Sequence, residues 1–477
     1  MTLHVHQLRV DHGRHRLVDV ADVRLHAGRA VTIVGESGSG KSLLAHALMG
    51  TLPPELRPSG TLQIEGVRHD ADDGRGRRRL WGRTLALLPQ EPMLALDPTM
   101  RVGRQVAEGV PGFRRDRGGA RARAATALAG VGLPAVGDTY PHRLSGGMAQ
   151  RVAYAAATVG GAPVLLADEP SKGLDERARV NLAALLRGHV TRGGMLLTIT
   201  HDLDLARALG GEVLVMRRAE IVERGPVEEV LSAPDHAYTR ALLAAEPRHW
   251  DEPWMRAGSS APREGEALVV AEGITKAYGT RTLFEDLAVT LQAGQRVAIA
   301  GPSGVGKTTL GNVLLRLLPA DDGAVRHTEH LPTGAVQKLY QDPALAFPAR
   351  VPLAVSLGDV LRRHRLRPAR LSELVQELGL DEGLLARRPG QVSGGELQRL
   401  AIIRAMLVDP RLLFADEPTS RLDLVSQQQT VRALMSQIDG SGCALLLVTH
   451  DASLATAVAD RQVHLGQPTQ LSAIAEP

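Results

Sequence analysis

Short apolar runs, each closed by glycine or by an acid, recur along this chain twice and in the same order. AVTIV at 30–34 and RVAIA at 296–300 are continuous hydrophobic stretches entered from glycine turns at Gly28 and Gly294. Runs of this kind predict strands covered on both faces. Each leads through a glycine-rich turn into a helical pattern, SLLAHALMG in the first case and TTLGNVLLRLL in the second. VLLAD, LLFAD, and the residues before His201 and His450 predict further buried strands. The longest uncharged stretch, 152–167, is interrupted by Gly160, Gly161 and Pro163, so it predicts a helix followed by a buried strand. ARARAATALAGVGL and LSELVQELGL have the spacing of amphipathic helices. The segment 246–266 is rich in Pro, Gly and charge, has no apolar periodicity, and predicts a linker of about twenty residues. The pattern implies an α/β chain of two domains, 1–245 and 267–477, each large enough for its own core. No run is long enough to span a bilayer, and MTLHVHQLRVD has no apolar signal region, so a soluble chain is expected.

The glycine-rich turns carry the first chemistry. GESGSGKS and GPSGVGKT both fit G-x-x-x-x-G-K-[S/T] between a strand and a helix. Glycine lets the backbone wrap a phosphate chain without Cβ clashes, and the following helix N-terminus directs N–H groups at the anion. Gly35, Ser37, Gly38, Gly40 and Lys41 are therefore candidate ATP-binding residues, as are Gly301, Ser303, Gly304, Gly306 and Lys307. Lys41 and Lys307 are placed to reach the terminal phosphates. Ser42 and Thr308 are placed to hold Mg²⁺.

Intervals establish the repeat. LLPQEP places Gln90 49 residues after Lys41, and LYQDP places Gln341 34 residues after Lys307. From Ser145 of LSGGMAQR to Asp168 of VLLADEP is 23 residues, and Ser393 of VSGGELQR to Asp416 of LLFADEP is again 23. His201 follows Asp168 by 33 residues, and His450 follows Asp416 by 34. Only the first interval differs much, which puts an insertion in the first half, within the arginine-rich stretch RHDADDGRGRRR. That stretch predicts a solvated loop.

Composition narrows the classes. The chain has only five lysines, Lys41, Lys172, Lys276, Lys307 and Lys338, and two of them lie in the glycine-rich turns. The arginine excess reflects a GC-rich genome more simply than a nucleic-acid partner, because net charge is only +4 and aromatic residues are 3% of the chain. One cysteine, Cys443, excludes a disulfide framework and points to a reducing compartment.

With these motifs in order, each half resembles a nucleotide-binding domain of the ABC ATPase superfamily. The SGG signature between the glutamine turn and the strand-plus-acid motif separates that family from other phosphate-loop ATPases. The resemblance implies two tandem P-loop NTPase domains, each with a parallel-sheet core, an antiparallel β subdomain and an α-helical subdomain. It implies Asp168 and Asp416 as Mg²⁺ ligands, with Gln90 and Gln341 beside the ion as sensors of the γ-phosphate. Glu169 and Glu417 resemble the general base, and His201 and His450 the residues that fix the γ-phosphate. Ser145, Gly146, Gly147 and Ser393, Gly394, Gly395 resemble the signature that completes the ATP site of the opposite domain, so an intramolecular head-to-tail dimer is implied. SKGLD to Asp175 and TSRLD to Asp423 look like the loops that link the two sites.

Two positions depart from the pattern. After SGG the second half has the usual acidic Glu396, but the first has Met148. The aromatic that stacks on adenine matches Tyr278, and its counterpart by equal offset from the loop glycine is His12, whose ring offers less stacking surface. Both halves keep the Glu and the His, so both are expected to hydrolyse ATP.

The stretch SAPDHAYTRALLAAEP at 232–247 closely resembles the tail of the oligopeptide, dipeptide and nickel importer branch. That implies a peripheral subunit on the cytoplasmic face of a membrane, docked on two transmembrane permease subunits and served indirectly by an extracytoplasmic solute-binding protein, with no nucleic acid. Peptides, nickel or metal chelates are the implied cargo. The alternatives are a soluble paired ABC ATPase acting on ribosomes, or a fused ATPase of a vitamin or cobalt importer or of an exporter. Ribosomal relatives have a long charged helical linker, which 246–266 does not resemble.

Overall fold

The computed structural model describes residues 2–252, 266–279, 281–328, 331 and 334–466. The chain divides into two compact units, Met1–Ala244 and Ala245–Pro477.

In the first unit, β1 (Thr2–His12) and β2 (His15–His26) form a hairpin that β4 (Arg57–Ile64) and β5 (Val67–Asp70) extend into an antiparallel sheet of order β2-β1-β4-β5. Alternation in β1 buries Leu3, Val5, Leu8 and Val10 and leaves the other face polar. The core sheet has order β10-β9-β3-β8-β7-β6, from β3 (Ala30–Gly35), β6 (Leu85–Leu88), β7 (Val164–Asp168), β8 (Met195–Ile199), β9 (Glu212–Arg217) and β10 (Glu220–Pro226). All its pairs are parallel except that of β10 with β9. Every residue of β3, β7 and β8 is buried, as their unbroken apolar runs predict.

The second unit repeats this plan. β11 (Ala267–Tyr278), β12 (Arg281–Gln292) and β14 (Asp322–His327) form the antiparallel layer β12-β11-β14. β13 (Arg296–Ala300), β15 (Val336–Leu339), β16 (Leu412–Asp416), β17 (Ala444–Val448) and β18 (Arg461–His464) form a parallel core of order β15-β16-β17-β13-β18. Between the glutamine turn and the signature lie helices Val102–Glu108 and Arg117–Gly130 in the first unit, and Leu353–His364 and Ala369–Glu377 in the second. Stretch 152–167 falls where the pattern put it, in helix Gly146–Thr158 and then β7.

Two sequence expectations need correction. The arginine-rich stretch is not simply a solvated loop. It folds into β5 and a short helix, Gly74–Arg77, in which Arg77 is only 1% exposed. Its guanidinium donates to the carbonyls of Asp70 and Ala71 at 2.6 and 2.5 Å, so burial is made tolerable by backbone acceptors. The linker expected at 246–266 begins as packed structure. A short turn, Pro247–His249, presents Trp250 to the second unit's core, and Arg432 pairs with Glu252. A large aromatic set among prolines and charges gives no periodic signal, which is why the pattern concealed it. Residues 253–265 lie outside the described residues; both flanks, Glu252 and Glu266, belong to the second unit.

Candidate functional site

In each unit the first core strand delivers the glycine turn to a helix N-terminus. Gly40 and Gly306 adopt φ 100° and 108° as the N-caps of helices Lys41–Met49 and Lys307–Leu314. A Cβ on Gly40 would lie 2.2 Å from the Leu17 carbonyl oxygen, so the turn has room only for glycine. Lys41 Nζ donates to the carbonyls of Gly35 and Glu36 at 2.9 and 2.7 Å, and Lys307 Nζ to those of Gly301 and Pro302 at 2.8 and 2.9 Å. Both ammonium groups are thereby held across their own loops. Ser37 and Ser303 lie exposed in the same loops, with Gly38 and Gly304 in left-handed backbone.

The strand ends bring the remaining groups to the loops. Ser42 Oγ donates to Asp168 Oδ1 at 2.8 Å, and Thr308 Oγ1 to Asp416 Oδ1 at 2.8 Å. Burial pushes both aspartates above the usual carboxylate range, with the hydroxyl donors opposing it. A hydroxyl and a carboxylate converging beside a phosphate loop form the oxygen-donor set that suits Mg²⁺.

The next residue in each unit, Glu169 or Glu417, has φ 45°, a left-handed conformation uncommon for a side-chain-bearing residue. Its N–H donates across the sheet to Ile199 or Val448 at 2.7 or 2.9 Å, which holds the turn. Glu169 Oε2 lies 2.7 Å from His201 Nδ1, and Glu417 Oε1 lies 3.4 Å from His450 Nδ1. Burial works against ionisation of Glu169 and Glu417, yet each histidine holds its partner below the ordinary glutamate value. His201 is raised in turn: Glu169 outweighs the burial that opposes its charge.

The two units differ in detail. Gln341 Nε2 donates to Glu417 Oε2 at 2.9 Å, whereas the Gln90 amide makes no hydrogen bond with a described residue. Tyr278 and His12 both end the first strand of their hairpins, opposite Arg281 and His15, so the offset comparison names equivalent places. Tyr278 is 55% exposed, and with Arg281, Ser303, Gly306, Lys307 and Glu417 it lines a cavity of about 400 Å³. Arg281, whose guanidinium donates to the Gly304 carbonyl at 2.9 Å, was not singled out by the motifs.

Ser145 and Ser393 cap helices Gly146–Thr158 and Gly394–Met406, and the signature turns are exposed apart from Gly147 and Gly395. Ser393 forms a full capping box: Glu396 N–H donates to Ser393 Oγ at 3.3 Å, and Ser393 N–H and Oγ–H donate to Glu396 Oε2 at 2.7 and 2.8 Å. Met148 leaves the first unit with only the forward arm. Met148 is also partly buried against the helical core, so Met148→Glu is expected to change the first unit's stability by no more than about 1 kcal/mol, read from the shift in its urea midpoint; a net stabilisation would mean that the completed box outweighs the lost packing. Asp175 and Asp423 cap helices Glu176–Thr191 and Leu424–Ser441, a local role the spacing did not reveal.

Among the described residues a further group of possible metal ligands, His4, His6 and Asp22, spans β1 and β2. His4 Nε2 is hydrogen-bonded to Asp22 Oδ1, and Arg24 Nε donates to the same two atoms at 3.2 and 3.3 Å, so a guanidinium competes with an ion for them. No helix among the described residues is long and apolar enough to cross a membrane.

Comparison with known proteins adds three findings. A family profile described as ABC transporter matches residues 18–172 and 284–420. The chain is 34% identical over 472 residues to the peptidoglycan transport ATP-binding protein YejF of Agrobacterium fabrum, covering 93% of this chain and 86% of that one. It is 31% identical over 510 residues to the glutathione import ATP-binding protein GsiA of Escherichia coli strain K12, covering 94% and 81%. Among solved structures, RNase-L Inhibitor superposes with a TM-score of 0.64 at 23% identity, covering 96% of this chain and 87% of that one. The archaeal ribosome recycling factor aABCE1, in complex with the ribosomal stalk protein aP1, gives 0.62 at 24%, covering 92% and 83%. Those two likenesses concern the fold alone.

Proposed function

The chain belongs to the ABC transporter family, and from that premise we propose that it is the ATP-hydrolysing subunit of a membrane importer for peptide-like cargo. The two fused domains are ATPase domains of that family. The observation that supports transport is likeness over 93% of the chain to a protein named for peptidoglycan transport, joined by relatives named for glutathione import. Both named cargoes contain peptide bonds. The tail 232–247, whose residues resemble that branch, folds as helix Ala237–Ala244, and Glu223 accepts N–H bonds from Asp235 and His236 at 2.7 and 3.2 Å, which ties its start to the first unit.

In this reading Lys41 and Lys307 bind the terminal phosphates of ATP, and the left-handed glycines turn backbone N–H groups toward the anion. Ser42 with Asp168, and Thr308 with Asp416, would hold Mg²⁺. When bound, that ion neutralises charge developing on the transferred phosphoryl oxygens. Glu169 and Glu417, ionised and aimed by their histidines, accept a proton from the attacking water. His201 and His450 lie against the carboxylates and help keep them ionised by holding them below the ordinary glutamate value. Gln341, bonded to Glu417, and Gln90, its counterpart in the sequence, act as sensors, and Tyr278 and His12 cover the base. Each signature turn, with Ser145 or Ser393 at its head, serves the nucleotide of the other domain.

The subunit would work on the cytoplasmic face of the membrane, against two permease subunits loaded by a solute-binding protein. Affinity purification of the tagged chain from detergent-solubilised membranes of its own organism tests this. Two co-purifying integral membrane permeases are expected, and recovery of ribosomes in their place would overturn the reading.

A further inference from the structure

One lysine stands at the core of the second unit where the first unit has an apolar residue. Parallel register sets Lys338 of β15 opposite Phe414 of β16, and Leu87 of β6 holds the same place opposite Leu166 of β7. Lys338 Nζ lies 3.6 Å from Asp416 Oδ2, with the lysine side chain only 14% exposed. Its other partners carry no charge. It donates to Asn312 Oδ1 at 2.8 Å and lies 5.0 and 5.3 Å from the ring centroids of Phe414 and Tyr340. Counted from the loop lysines, the strand register and the glutamines, Asn312 corresponds to His46, Phe414 to Leu166 and Tyr340 to Pro89. The lysine and all three uncharged groups that hold it therefore differ together between the halves. In the first half His46 turns its Nδ1 to Thr51 Oγ1 at 2.8 Å; it stands near enough to Asp168 to lower that carboxyl but makes no ion pair with it.

This niche acts on the one carboxylate that both units use in the same way. Asp416 Oδ1 accepts from Thr308, and Oδ2 faces the ammonium. A divalent cation drawn to Asp416 meets a positive charge that is anchored by an amide and two rings and does not leave with the carboxylate. In a poorly solvated pocket two such charges repel strongly. The same fixed positive charge stands one carboxylate away from Thr308, at the loop that would receive the nucleotide's phosphates.

We propose that Lys338 is a resident counter-cation of the second nucleotide site: the second half binds nucleotide with less help from a divalent ion, and holds that ion more weakly, than the first half. The inference rests on reading 301–308 as a nucleotide site, and its test separates the two. In the full chain, Lys41→Ala leaves the second site to be measured and Lys307→Ala leaves the first. Binding of adenylyl imidodiphosphate is measured with Mg²⁺ and with EDTA, and Mn²⁺ binding to the nucleotide-loaded proteins is followed by electron paramagnetic resonance.

Removing the divalent ion is expected to weaken nucleotide binding in the second half at least about tenfold less than in the first, with Mn²⁺ affinity lower there by a similar factor. Lys338→Met and Lys338→Gln should each remove that difference; glutamine keeps an amide for Asn312, so a folding failure of the methionine variant does not stop the test. Equal divalent dependence in the two halves, or a difference that survives both substitutions, overturns the proposal. Loss of all nucleotide binding in the Lys41→Ala protein, if the fold is intact by circular dichroism, defeats the reading of the loop and the proposal with it.

Discussion

The double variant Glu169→Gln, Glu417→Gln is expected to bind ATP and to turn it over more slowly by a factor on the order of 10²–10⁴. Glutamine has the size and shape of glutamate but cannot take up a proton, so the substitution removes the proposed base and leaves the loops intact. Lys41 and Lys307 keep their carbonyl contacts, which involve neither glutamate. The left-handed backbone at both positions is held by cross-sheet bonds from their own N–H groups, which the change does not touch. The expected loss therefore falls on kcat rather than on nucleotide affinity. The single variants apportion it. With Glu169 2.7 Å from its histidine and Glu417 3.4 Å from its own but also bound by Gln341, the two sites are similar enough that each single change should lower turnover. If one of them leaves the rate unaltered, that site does not turn over in the native chain. A double variant that hydrolyses at the parent rate would remove both glutamates from the chemistry.

Whatever depends on contiguous residues was legible in the sequence, and whatever depends on register across the sheet was not. The phosphate loops are local: a strand, a left-handed glycine and a helix start follow one another along the chain, so their spelling fixes their shape. Asp168 and Asp416 could be found because each ends an unbroken apolar strand, and 23-residue spacing from the signature serine repeats in both halves. Lys338 appeared only as one of five lysines, because its meeting with Asp416 is created by parallel pairing of β15 with β16 across more than seventy residues. The sequence pattern leaves the Arg77 side chain solvated for a related reason. Neighbouring charges in the sequence say nothing of two backbone carbonyls that fold back to receive a guanidinium. Asp175 and Asp423 end the SKGLD and TSRLD stretches and cap the helices that follow, as Asp202 and Asp451 do after the two histidines; a single acid before a helix has no spacing that marks it as a cap.

Trp250→Ala is expected to destabilise the second unit by about 3–5 kcal/mol, the range for deleting a buried tryptophan, and to leave the first unit's transition where it was. The side chain is 6% exposed and belongs to the cluster that contains Leu434, Leu454 and Val458. Its indole N–H donates to the Ala245 carbonyl at 3.0 Å, closing the turn Pro247–His249 that packs on helix Ala452–Val458. Removing the ring takes away the largest apolar surface in this segment and opens a cavity that the prolines and charges around it cannot fill. The neighbouring ion pair of Arg432 with Glu252 is largely exposed on the arginine side and offsets little of that loss. Trp250→Phe keeps most of the packing but not the N–H bond, so it should cost roughly 1 kcal/mol or somewhat more. Calorimetry of the full chain, with the transition of the second unit assigned by its shift in the Lys41→Ala protein on adding nucleotide, gives the readout. A loss below about 1 kcal/mol for the alanine variant would mean that the residues after Ala244 are a true tether. The expected loss makes them part of the second ATPase fold, which then begins well before its first strand.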